Sequence, residues 1–124
     1  MEPGPGEFTN AHPALAGFWH AVALADGVGE DPVAVRLLGQ GWVLARFGGA
    51  IAAFADACPH RRARLSAGEM TRGTLQCPYH GWRFGGDGRC VDIPALEPAA
   101  AIPARAALRP AAQVAERDGL VWLA

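Results

Sequence analysis

Lysine is missing altogether from this 124-residue chain: all 11 basic side chains are arginine, set against 12 acidic ones for a net charge of -1. That balance excludes a generic cationic binder of nucleic acid or membrane surfaces. Cysteine is scarce too. Three is an odd count and too few for a disulfide scaffold, so the thiols are expected to be reduced, a setting in which Cys more often binds metal or reacts. No apolar run approaches the roughly 18 residues of a membrane-spanning helix. The opening Met1-Glu2-Pro3-Gly4 has neither the basic nor the apolar stretch of a secretory signal. A cytoplasmic location with no membrane partner is therefore expected. Large apolar side chains are fewer than the 51% hydrophobic content suggests, since 26 residues are Ala. The 11 Leu, 8 Val, 5 Phe and 4 Trp still suffice for one core. A chain of this length buries roughly two-thirds of its unfolded surface, enough for a single domain.

Along the chain, residues 1–11 are rich in Pro and Gly and read as a flexible tail, and 12–124 as one domain. His12 to Leu24 reads as a short turn leading into a strand, and Gly27 to Asp31 as a loop. Short strands are expected at Val33–Leu38, Trp42–Phe47, Ile51–Ala55, Gly73–Gln76, Arg83–Phe84, Arg89–Ile93, Gln113–Arg117 and Leu120–Leu123. Gly48-Gly49 and Asp118-Gly119 are hairpin signals, and Gly85-Gly86-Asp87-Gly88 is a turn. Pro94, Pro98, Pro103 and Pro110 forbid a long helix, so 94–110 is expected to wrap the surface in extended form. Turns at this frequency indicate an all-β antiparallel sandwich or small barrel.

The stretch that carries chemistry runs from Asp56 to Phe84. It holds Cys58-Pro59-His60 and Cys77-Pro78-Tyr79-His80, or C-x-H-x16-C-x2-H, each pair on a Pro-containing loop between strands. Two Cys and two His suit tetrahedral zinc chemically, but structural zinc pairs leave about two to four residues between ligands and Cys58 and His60 leave one. A two-iron, two-sulfide centre, with two Cys on one iron and two His on the other, suits one Cys and one His from each loop.

These loops closely resemble those of the Rieske family in Cys58-Pro59-His60-Arg61, Leu65-Ser66-x-Gly68 and Cys77-Pro78-Tyr79-His80-Gly81-Trp82, a resemblance running from about Phe18 to Leu123. It implies a Rieske-type sandwich or barrel whose two-loop cluster-binding subdomain spans about 56–84. It also implies a [2Fe-2S] cluster held by Cys58, His60, Cys77 and His80, with Pro59, Pro78, Gly81 and Trp82 stiffening and shielding the loops. Two ferric ions, two sulfides and two thiolates sum to zero charge, so neutral imidazoles place the potential above that of four-Cys clusters, at about -150 to +300 mV. High-potential members add a disulfide between the loops and Ser and Tyr donors to the cluster sulfurs. Here the disulfide positions are Ala63 and Tyr79, and the donor positions are Trp82 and Phe84. The resemblance thus implies a potential at the low end of the range.

Within the family, Arg83-Phe84 and Asp87-Gly88-Arg89 after the second motif resemble the oxygenase form. So do His12-Pro13-Ala14-Leu15 with Phe18-Trp19-His20, and Arg117-Asp118-Gly119-Leu120-Val121-Trp122. They resemble the N-terminal domain of the large subunit of a Rieske non-haem iron oxygenase of ring-hydroxylase or demethylase type. Such a domain takes electrons from a reductase or ferredoxin and passes them to a mononuclear iron, with His80 meeting an Asp of a neighbouring subunit. No catalytic residue is expected in this chain. Oxygen activation needs two His and a carboxylate on iron, and only His12 and His20 are uncommitted. The fragment alone is expected to be monomeric and the full oxygenase trimeric. The alternatives are a free-standing Rieske-type ferredoxin and a non-catalytic cluster-bearing or zinc-binding module.

Other residues carry plainer readings. Arg61, Arg62, Arg64 and Arg72 are either a positive rim for an acidic redox partner, with Arg61, Arg62 and His80 as contacts, or a solvated loop. Trp82 either shields the cluster or fills the core. Cys90 is read as a small buried hydrophobe, Trp19, Trp42 and Trp122 as core candidates, and Asp56 as a cap for its loop.

Overall fold

The computed structural model describes residues 18–59, 63–79, 81–94, 102–103 and 105–124. The expected N-terminal tail and His12 lie outside them. Four two-residue turns cut the described chain into hairpins. Leu38-Gly39, Gly48-Gly49, Arg72-Gly73 and Asp118-Gly119 have positive φ at both positions, the turn whose twist matches that of its flanking strands. They join β2 (Val33–Leu37) to β3 (Gln40–Phe47), β3 to β4 (Ala50–Ala55), β5 (Glu69–Thr71) to β6 (Thr74–Gln76), and β9 (Val114–Arg117) to β10 (Leu120–Leu123). The remaining strands are β1 (His20–Leu24), β7 (Arg83–Phe84) and β8 (Cys90–Asp92). The strands form three antiparallel sheets, β1-β10-β9, β2-β3-β4 and β5-β6-β7-β8. The expected all-β class holds.

The β2-β3-β4 sheet separates two cores. Val43 pairs with Phe54 and Leu44 with Ala53. Successive strand residues face opposite sides, so Val43 and Phe54 enter one core while Leu44 and Ala53 enter the other. The first core also takes Leu65, Leu75, Phe84 and both motif cysteines. The second packs Val28, Val121 and Leu123 against the sheet's other face. Burial on both sides explains why β3 and β4 read as near-continuous apolar runs and not as alternating ones.

Two expectations need correction. The described part of 94–110 does more than wrap the surface. Ala106 and Leu108 are buried in the first core, and the backbone ties two sheets together. Leu108 N–H donates to Gly88 O, Cys90 N–H to Ala106 O, and Ala55 N–H to Arg109 O. Pro103 and Pro110 bracket a stretch that fills a gap between β4 and β8 with the side chains of Ala106 and Leu108. The three Trp core candidates also part company. Trp42 packs against the second core, but Trp19 is 45% exposed. Trp122 lies half-buried outside both cores, its indole N–H on Arg117 O at 3.1 Å. The β10 residues that face the core are Val121 and Leu123, so alternation turns Trp122 away.

One polar clamp joins the β2-β3-β4 sheet to β9. Arg46 donates to the carbonyls of Val28 and Ala25 and makes a two-pronged bond to Glu116, at 3.1 and 3.0 Å. The hydrogen bond from Arg46 holds the Glu116 carboxyl below its ordinary range, with burial opposing and the Arg46 charge assisting. A depressed folded-state pKa gives stability that is present above the unfolded value of about 4.3 and is lost as pH falls through the folded value. Glu116→Gln should therefore unfold at a lower temperature than wild type at neutral pH, and the gap should close in acid. Thermal melts across pH would refute this if the gap did not change.

Candidate metal centre

The two motif loops are closed in the same way. The first leaves β4 after Ala55, and Cys58 N–H donates to Ala63 O at 2.8 Å. The second leaves β6 after Gln76, and Cys77 N–H donates to Trp82 O at 2.8 Å before the chain enters β7. In each loop the chain returns to its cysteine after five residues. Cys58 and Cys77 are 0% and 2% exposed and belong to one core, whereas the following Pro59 and Pro78 are exposed and Tyr79 is 62% exposed. Each loop thus roots its thiol in the core and turns the next described residues to solvent. Neither cysteine is in a disulfide.

This arrangement fits a cluster that takes one thiolate from each loop. Two reduced thiols at matched loop bases, sharing one apolar core, form the sulfur half of such a donor set. His60, Arg61, Arg62 and His80 lie outside the described residues, so the expected imidazole half and the proposed partner contacts do too. Among the described residues no three metal-ligating side chains come together. Cys90 stands apart from the motif loops on β8. It is 8% exposed, its Sγ lies 3.4 Å from Asp92 O, and burial pushes its thiol pKa up.

The flanking residues have definite positions. Gly81 adopts φ +69°, which a side chain would strain. Trp82 packs half-buried against the first core. Phe84, at the position of the absent hydroxyl donor, is fully buried opposite Leu75 and Cys90. Asp56 does cap its loop: its carboxylate accepts Ser66 N–H at 2.8 Å and Ser66 Oγ–H at 2.6 Å. Arg64 is largely solvated, its Nε 3.7 Å from Asp56.

Gly68 has a task that its place in the motif does not reveal. A Cβ there would lie 1.9 Å from the carbonyl oxygen of Gln76, the residue before Cys77. The short 3-10 turn Leu65–Ala67 therefore delivers the exit of the first loop directly onto the root of the second. The signal was present in the Leu65-Ser66-x-Gly68 spacing, but the partner of Gly68 is distant in sequence. Gly68→Ala must displace backbone on one side or the other, at a cost of about 1–3 kcal/mol or more. Denaturant unfolding should show that loss, and the purified variant should hold less than half the iron of wild type. Wild-type stability and iron content together would refute the close approach.

Comparison with known proteins follows from this geometry. The family described as Rieske [2Fe-2S] domain matches residues 18–107. The chain is 37% identical over 115 residues to methylxanthine N1-demethylase NdmA of Pseudomonas putida, covering 88% of this chain and 32% of that protein. It is 42% identical over 106 residues to the oxygenase component of dicamba O-demethylase from Stenotrophomonas maltophilia, covering 85% and 30%. It is 39% identical over 107 residues to protein TIC 55 of Arabidopsis thaliana, a chloroplast protein, covering 85% and 20%. The solved structure of P. putida NdmA superimposes with a TM-score of 0.85 at 36% identity, over 93% of this chain and 36% of that one. The chain thus spans between a fifth and about a third of the length of these relatives. Among the described residues no helix is long and apolar enough to cross a membrane. With matched loop closures, buried paired thiols and this likeness over most of its length, the chain belongs to the Rieske [2Fe-2S] domain family.

Proposed function

We propose that this chain passes single electrons through a Rieske [2Fe-2S] cluster, as the electron-relay domain of a ring-hydroxylating or demethylating non-haem iron oxygenase. In this reading Cys58 and Cys77 hold one iron and His60 and His80 the other. The observation that carries it is the matched pair of closures, Cys58 N–H on Ala63 and Cys77 N–H on Trp82, which roots both thiols in one core. When bound, the cluster supplies a one-electron acceptor with no net charge in its oxidised form.

The chain's own residues supply the setting. Burial of Cys58 and Cys77 keeps water from the sulfur side, and the exposed loop tips at Pro59, Pro78 and Tyr79 form the face open to a partner. Electrons enter from a reductase or ferredoxin and leave toward a mononuclear iron in a neighbouring subunit, with His80 at the exit. Arg61, Arg62, Arg64 and Arg72 form a positive rim for the donor, and Arg64 and Arg72 are exposed. The relatives named as demethylases and as an oxygenase subunit favour the oxygenase over the carrier.

The donor positions hold Trp82 and Phe84, so the reduced cluster lacks the Ser and Tyr hydroxyl hydrogen bonds of high-potential members. A redox titration followed by electron paramagnetic resonance should give one electron per two irons and a potential of about -150 mV. A value above zero would overturn the argument. His60→Cys should lower the potential sharply in whatever cluster assembles, and unchanged optical and magnetic spectra would remove His60 from the ligand set. The rate of reduction by the natural donor should fall as salt rises, and a salt-independent rate would dismiss the arginine rim.

A further inference from the structure

The two loops match in their inner closure but differ in what lies just outside it. The second loop is the end of a β-hairpin. Immediately outside the Cys77–Trp82 bond, Gln76 pairs with Arg83 in the β6–β7 ladder. Among the described residues the first loop has no such ladder. β4 pairs with β3, and the chain leaving Ala63 runs into the 3-10 turn Leu65–Ala67 and not into a strand beside β4. What stands in the ladder's place is a side chain. Asp56, two residues before Cys58, reaches across the loop to Ser66 and takes both its backbone and its hydroxyl hydrogen. The backbone of Asp56 is itself moored to the central sheet, its N–H on Gly41 O at 3.1 Å. The carboxylate is only 6% exposed, so little water is available to replace Ser66 if that contact opens. Beyond Ser66 the chain reaches Gly68, seated on the Gln76 carbonyl at the root of the second loop.

We infer that Asp56 and Ser66 form a side-chain latch that substitutes for a strand pair, positions the first ligand loop against the second, and governs how long the cluster is retained. This rests on the ligand reading above, since it concerns the loop that carries Cys58 and His60. Asp56 acts through the loop as a positioning residue. Opening the latch leaves the Cys58–Ala63 bond without an outer closure, while the second loop keeps its ladder.

The test compares wild type with Asp56→Ala, Ser66→Ala and Asp56→Asn. Asn can accept the Ser66 N–H and donate to its hydroxyl, so it restores the latch without the charge. The first readout is the rate at which iron passes from the oxidised protein to a chelator. It should rise about tenfold or more in Asp56→Ala, less in Ser66→Ala, and return close to wild type in Asp56→Asn. The second is hydrogen exchange in the proteins as purified, wild type against Asp56→Ala, which removes the acceptor of the residue 66 amide. There the amide at position 66 should lose protection while the Cys77 amide does not. Iron loss from Asp56→Ala at the wild-type rate would overturn the latch. So would an Asp56→Asn variant as labile as Asp56→Ala, or equal loss of protection at residues 66 and 77. If Asp56→Ala fails to fold, Ser66→Ala and Asp56→Asn still decide. Wild type that assembles no cluster would count against the ligand reading alone, and the exchange measurement would still judge the latch.

Discussion

The apolar core shared by the bases of the two motif loops is the governing constraint: it holds two thiols from separate loops in one place. Cys58 and Cys77 are both buried among Leu65, Leu75, Phe84 and Phe54, and the backbone N–H of each is satisfied within its own loop. Those two bonds answer the demand that buried backbone polar groups find partners, and they fix the shape of each loop at its root. Much else in the structure serves that placement. Phe84 faces Leu75 across β6 and β7, and Ala106 and Leu108 close the core from the side of β8.

The second core does mechanical work at a distance. Its residues hold β1-β10-β9 against the central sheet, with Arg46 and Glu116 clamping the edge. Because β3 and β4 expose one face to each core, the register that seats Val43 and Phe54 under the cluster loops is the same register that seats Leu44 and Ala53 below. A slip of one residue would exchange the two sets. The loops are therefore mounted on a sheet that is packed from both sides.

Much of this was legible in the residues. Glycine-containing turns at Gly48-Gly49 and Asp118-Gly119 announced hairpins because their chemistry is local. The pairing of Cys and His on two Pro-containing loops announced a metal centre because ligand spacing is local. β5 went unread since it is three residues long and its turn uses Arg72 in the left-handed region, where a non-glycine residue carries no advance signal. Ala106 and Leu108 sit among prolines that suggest a surface strap, and nothing nearby in sequence shows the gap they fill. Trp19 and Trp122 are apolar enough for any core, and only alternation along strands and sheet position send them outward.

The class of fold and the pairing of Cys with His on two Pro-containing loops could be read from the residues alone, because turn propensity and motif spacing belong to residues within a few positions of each other. How the loops are held emerges only on folding: both cysteines share one core, Gly68 presses on the Gln76 carbonyl, and Asp56 clasps Ser66 where the other loop has a strand pair. These are contacts between segments that meet only after the sheets have formed. No local pattern encodes them, since they depend on which surfaces packing brings together.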